Sequence, residues 1–234
     1  MKRHKSFDLS KKNSLDAHKK KIAYYESGRA VAMLINNQLK NLPPVFFEIT
    51  FNNNTQNTPS DTQLDLASDV DYSAKVKGGR LVKNLPESIA MFTSELDLFL
   101  EYSMEQKEKI IEGLVMAMEC DLVNILVGSL AEAKYTVLCD DEIFNKNIVN
   151  INALHNYVGL SDRVLIEEYL TCFSNSKRLQ NHILERLFMQ AYDFIDNASN
   201  WKKIMKLVDH ILDEDIKKIN YNQVNKLLDS KDAS

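Results

Sequence analysis

Three residues with reactive side chains, Tyr25, Glu26 and Arg29, share the stretch Ile22-Ala23-Tyr24-Tyr25-Glu26-Ser27-Gly28-Arg29-Ala30-Val31-Ala32-Met33-Leu34-Ile35. In a helix Tyr25 and Arg29 sit one turn apart on one face, with Glu26 beside them. The same spacing also fits an ordinary surface pair of Glu26 and Arg29 at i, i+3, and burial decides between the two. The remaining candidates are sparse. The histidines His4, His18, His155, His182 and His210 include no i, i+4 pair. Cys120, Cys139 and Cys172 are odd in number and lack a C-x-x-C spacing, which suits reduced thiols rather than disulfides or a zinc knuckle. Asp61, Asp65, Asp69 and Asp71 lack the central Gly and closing Glu of a calcium loop. Lys77-Gly78-Gly79-Arg80 is followed by no G-K-[ST], so it reads as a turn and not a phosphate loop.

The elements around these residues read mainly as helices. A first helix is expected from about Leu15 or His18 to about Leu39, stopped by Leu42-Pro43-Pro44. Gly28 in its interior costs about 1 kcal/mol against Ala, which points to a close neighbour. Val45–Phe51 reads as a strand, and residues 52–74 as a long acidic loop. Helices follow over Glu87–Tyr102 and Met104–Val137, the second with an apolar stripe from Ile111 to Leu130. Residues 143–158 read as loop with a short helix at most. Gly159-Leu160-Ser161-Asp162 reads as a helix entry capped by Ser161 or Asp162, running to about Phe173. A helix capped by Asn175 or Ser176, one over Trp201–Leu212 and a last one over Asn222–Asp229 close the chain. Residues 1–19 are basic and read as a flexible N-terminal arm preceding one domain over 20–230.

The 234 residues hold 44% apolar and 26% charged residues, ordinary for a globular protein, and only 6 Gly and 4 Pro, which favours long helices. A net charge of −4 argues against nucleic acid as the main partner. No apolar h-region follows the basic N-terminus, and the most apolar run, Gly113–Ala133, is broken by Glu119, Asp121 and Asn124. The expectation is a cytoplasmic protein without a membrane span.

Tyr25-Glu26-x-x-Arg29 has the layout of H-E-x-x-H, in which two histidines hold zinc and the glutamate acts on its bound water. The surrounding helix resembles the A-x-H-E-A-G-H-A-V helix of the FtsH-type zinc metallopeptidases. Three further segments are similar to that family in the same order. Pro44–Thr50 looks like the strand after the zinc helix. Leu126-Val127-Gly128-Ser129-Leu130-Ala131-Glu132-Ala133 is similar to the family's L-A-G-R-A-A-E-E. Gly159-Leu160-Ser161-Asp162 is similar to the segment carrying the third zinc ligand.

The resemblance spans roughly residues 20–228. It implies a mainly α, multi-helix FtsH peptidase-like domain with a small β element after the first helix, here without the family's ATPase module and membrane anchor. It makes Glu26 a vestigial general base and Tyr25, Arg29 and Asp162 the degenerate metal positions. Both histidines are replaced. A neutral tyrosine is a poor zinc ligand and an arginine is none. The resemblance therefore implies a pseudoenzyme with no cofactor, in which Arg29 replaces the metal as cationic partner of Asp162, with Glu26 as a second carboxylate within its reach. The implied activity is binding of an unidentified protein or peptide. The alternative is an active zinc metallopeptidase with a remodelled site using His155, and a third reading is attachment to an anionic surface through the basic arm.

Overall fold

A computed structural model describes residues 3–54, 71–86, 89, 103–151 and 158–230. Its first element is a 37-residue helix, α1, Arg3–Leu39. The helix therefore starts well before Leu15, and residues 3–19, read from sequence as a flexible arm, are helical. No Pro or Gly occurs before Gly28, and Lys, Leu and Ala are good helix formers, so nothing local interrupts the ladder.

The end of α1 shows how this glycine-poor chain stops its helices. Asn41 takes the left-handed conformation, φ 53°, and the Leu42 N–H bonds back to the Asn37 carbonyl at 2.8 Å. That is a Schellman closure, with Asn where Gly is usual. The same closure recurs after the second helix, α2, Met104–Cys139, with Asp141 at φ 56° and Glu142 N–H on Val137 O. It recurs again after α5, Ala198–Asp213, with Asp215 at φ 45° and Ile216 N–H on Ile211 O. Asn and Asp tolerate this region better than other side-chain-bearing residues.

Between α1 and α2 lie strands β1, Phe47–Asn54, and β2, Asp71–Gly78, and a third, β3, Lys218–Asn220, comes late in the chain. They form one antiparallel sheet in the order β2-β1-β3, with Ile49 opposite both Val76 and Ile219. Phe47, Ile49, Phe51 and Ile219 face the core. The sequence reading found β1 but placed residues 52–54 and 71–74 in a loop and 77–78 in a turn. β2 does alternate, with Tyr72, Ala74 and Val76 between Ser73, Lys75 and Lys77, but the sequence reading did not use that pattern, and β3 is too short to have one. Both are strands because β1 supplies their hydrogen-bond partners. Residues 55–70 of the acidic loop lie outside the described residues, as does nearly all of the Glu87–Tyr102 helix.

Helix α2 opens where the sequence placed it. Ser103 caps it, with the Gln106 N–H donating to Ser103 Oγ and the Ser103 N–H donating to Gln106 Oε1. Helix α3, Leu160–Phe173, differs at its start: Gly159 is the N-cap, so neither Ser161 nor Asp162 caps it. Asp162 falls in the first turn with its side chain free for other contacts. Helices α4, Lys177–Asp196, α5, and α6, Tyr221–Asp229, complete a mainly helical fold with six helices among the described residues. No described helix is long and apolar enough to cross a membrane.

The core is centred on the crossing of α1 and α2. Residues 30–33 of α1 and the run Leu122–Ala131 of α2 are buried. At the crossing the backbones nearly touch. A Cβ on Gly28 would lie 2.5 Å from Ala131 Cβ and 3.1 Å from the Val127 carbonyl. A Cβ on Gly128 would lie 3.1 Å from the Tyr25 carbonyl. Gly113, nearer the start of α2, has open space around it.

Identical substitutions at two helical glycines should therefore have opposite signs. Gly28→Ala is expected to destabilise the chain by about 1–3 kcal/mol through overpacking. Gly113→Ala should stabilise it by about 0.5–1 kcal/mol by restricting the unfolded chain. Urea unfolding of both variants checks this, and a Gly28→Ala variant at least as stable as the parent would contradict the close crossing.

Candidate functional site

A cleft of about 1180 Å³ opens beside the α1–α2 crossing. Its floor is one face of α1, with Tyr25, Glu26 and Arg29 in sequence order along it. One wall is β2 with the segment that follows it, Gly79–Lys83. The opposite wall is the first turn of α3, which carries Asp162. Gly128 of α2 keeps the floor in place, because the Tyr25 ring lies 3.4 Å from where its Cβ would be.

The floor is a buried charge cluster. Glu26 is 6% exposed, Arg29 9% and Asp162 8%. Arg29 Nη1 lies 3.8 Å from Asp162 Oδ1, so the structure brings these two sequence candidates together across 133 residues of chain (162 − 29). The contact is longer than a hydrogen bond, and burial outweighs it: the Asp162 carboxyl is pushed up to about 6. Burial pushes Glu26 further, to about 7, against the pull of the Arg29 charge. Burial also lowers Arg29 from its ordinary value, with Arg80 acting the same way, while Glu26 and Asp121 hold its charge in place. Glu26 Oε2 and Arg29 Nε have no hydrogen-bond partner among the described residues. Glu26 and Arg29 are thus not the exposed helix pair that their spacing also allowed.

Other polar residues of the cleft were less visible in the sequence. Glu132 of α2 lines it, half-buried and raised by burial, with Lys21 and His18 acting in the opposite sense. Asp121 lies behind the wall. It accepts the backbone N–H of Leu81 at 2.8 Å, that of Val82 at 2.9 Å and the Tyr169 hydroxyl at 2.8 Å. Its carboxyl is raised by burial and eased back by those hydrogen bonds. Asp121 thus ties the segment after β2 to both α2 and α3, and it positions the wall rather than facing the cleft. One signal existed in the sequence: a carboxylate inside an apolar helical run must find partners when the run is buried. Arg80 reached the sequence analysis only as part of a turn, yet it lines the cleft near Arg29.

The arrangement can hold a proton on Glu26 near neutral pH and present one arginine to an acceptor. Among the described residues no group of three or more His, Cys, Asp or Glu side chains is arranged to hold a metal ion. His155, the extra ligand considered for a rebuilt site, lies outside the described residues. Comparison of the chain with protein-family models, with curated proteins and with solved structures finds no match.

The raised Glu26 carboxyl makes stability depend on pH. Below the usual carboxylate range Glu26 is protonated in both folded and unfolded chains. As pH rises toward 7 the unfolded chain ionises freely, while the folded chain must bury the charge or keep the proton. Stability attributable to Glu26 is therefore lost as pH rises through about 7. Glu26→Gln, which mimics the protonated acid, should match the parent near pH 4 and exceed it at pH 8 by on the order of 3 kcal/mol. Urea midpoints at the two pH values test this, and a variant less stable at pH 8 would show that the ionised Glu26–Arg29 pair is net stabilising.

Proposed function

We propose that the chain is a peptidase-like scaffold whose cleft binds an extended segment of a protein partner without hydrolysing it. One observation carries the reading: the Arg29 guanidinium lies beside Asp162, with Glu26 buried next to it, at the base of an open cleft. In the FtsH-type arrangement that the sequence resembles, a zinc ion would be the cation facing those carboxylates. The residues at hand do not fit that ion. A guanidinium has no lone pair to offer and keeps its positive charge near Asp162, where it would repel a second cation. With Tyr25 as the other replaced position, too few ligands remain for a catalytic zinc, which takes three from the protein. Glu26 then has no metal-bound water to act on and serves as a buried, proton-holding partner of Arg29.

The cleft also has the shape expected for a polypeptide. β2 forms one wall and is an edge strand: it pairs with β1 on one side, and no described strand pairs with its other side. A free strand edge offers backbone donors and acceptors that an extended segment can match.

Metal analysis tests the reading at its weakest point. The purified chain should carry close to no zinc, before and after zinc is offered, and should not cleave unstructured peptides. Tyr25→His with Arg29→His returns two imidazoles one turn apart and should bring zinc to about one per chain, with Asp162 as third ligand. About one zinc in the parent would overturn the metal-free reading in favour of the remodelled metallopeptidase. A folded double variant that binds no zinc would remove the peptidase-like geometry altogether.

A further inference from the structure

The two faces of the sheet differ in charge in a way that constrains what lies along β2. Ala74 and Val76 pack against the core. Lys75 and Lys77 alternate with them, so they project to the opposite face, and both are exposed. Among the residues whose side chains are described, the carboxylate beside Lys77 on that face is Glu48 of β1, which stands opposite it in the register. Glu48 is already engaged by Lys218 of β3, with Oε2 and Nζ 2.8 Å apart. Lys75 and Lys77 make no ion pair with any described residue, and neither does the exposed Lys83 just beyond the strand. A chain of net charge −4 thus presents a cationic strip, without an ion pair among the described residues, along the edge strand of its sheet.

Resting on the cleft reading above, we infer that the bound segment is acidic, with alternating sequence, added to β2 as a fourth strand. Side chains of an added strand alternate between the two faces of the sheet, as those of β2 do. One set would lie on the outer face beside Lys75 and Lys77, where carboxylates complete the ion pairs. The other set would point toward the cleft, where Ala74, Val76 and Leu165 favour small or apolar groups. The partner therefore reads as acid–apolar–acid–apolar over a few residues. Backbone pairing along a strand edge favours a polypeptide over a phosphate polymer or a lipid headgroup, which would use the lysines alone.

The lysines have an alternative use, because charged residues on an edge strand also keep sheets from pairing with one another. A binding experiment on the full chain separates the two. The probes are fluorescently labelled peptides of one length alternating Glu–Val, Lys–Val or Ser–Val, together with a single-stranded oligonucleotide and phosphatidylserine vesicles. The Glu–Val peptide should bind tightest, weaken as salt rises, and lose about tenfold or more in affinity with Lys75→Glu and Lys77→Glu combined. Lys75→Arg with Lys77→Arg should retain it. Circular dichroism and urea midpoints, unchanged for these exposed positions, would show that the loss is not unfolding. Equal binding of all three peptides would overturn the acidic preference and leave the cleft reading standing. Binding of no peptide would overturn both. Tighter binding of the oligonucleotide or the vesicles would overturn the polypeptide assignment. Undiminished Glu–Val binding by the charge-reversed variant, with self-association in its place, would assign the lysines to edge protection alone.

Discussion

Helices α1 and α2 cross with Gly28 and Gly128 at the contact, and the rest of the structure depends on how closely they approach there. No side chain separates the two backbones, so the helices seat deeply and bury apolar surface on both sides. The residues flanking Gly28 on α1 are Tyr25, Glu26 and Arg29, so the close crossing also sets the depth at which these side chains sit. A larger residue at either glycine would push α1 outward and lift the charge cluster toward solvent. The low glycine content of the chain makes the two placements more telling, since the ends of three helices use Asn41, Asp141 and Asp215 for the left-handed position instead.

Burial then drives the electrostatics of the cleft. Glu26, Arg29 and Asp162 would be unremarkable charges on a surface, where water screens them. Beneath the cleft they lose hydration, and each carboxyl is held above its ordinary value although a guanidinium is near. The Arg29–Asp162 contact joins the first helix to the third, and Asp121 joins the cleft wall to the second and third helices through three hydrogen bonds. Buried polar links of this kind specify one arrangement of elements more than they add stability, because half-satisfied alternatives are costly.

How much of this was legible in the sequence depends on how local each signal is. The long helix α2 was readable because its apolar stripe from Ile111 to Leu130 lies within it. The stop of α1 was readable from Pro43 and Pro44. β3 was not, since three residues carry no pattern, and the alternation of Tyr72, Ala74 and Val76 in β2 went unread because it follows a polar, acidic stretch and its partner β1 is separated from it in sequence. The N-cap of α3 was misplaced by two or three residues because Ser161 and Asp162 are better capping types than Gly159, and a cap is chosen by backbone geometry as well as by residue type. Among site residues, Tyr25, Glu26, Arg29 and Asp162 stood out by spacing or motif. Asp121 and Arg80 did not, because their importance comes from what lies across from them.

The sequence by itself determined a mainly helical chain, the β1 strand, the need for a close neighbour at Gly28, and a polar trio on one helical turn. These follow from residue type and periodicity, which act over a few residues. Only the tertiary structure decided that the trio is buried, that Asp162 arrives within ion-pair distance of Arg29, and that the edge strand bearing Lys75 and Lys77 borders the same cleft. Those outcomes depend on desolvation and on hydrogen bonding between segments far apart in the chain. Neither quantity is a property of any local stretch.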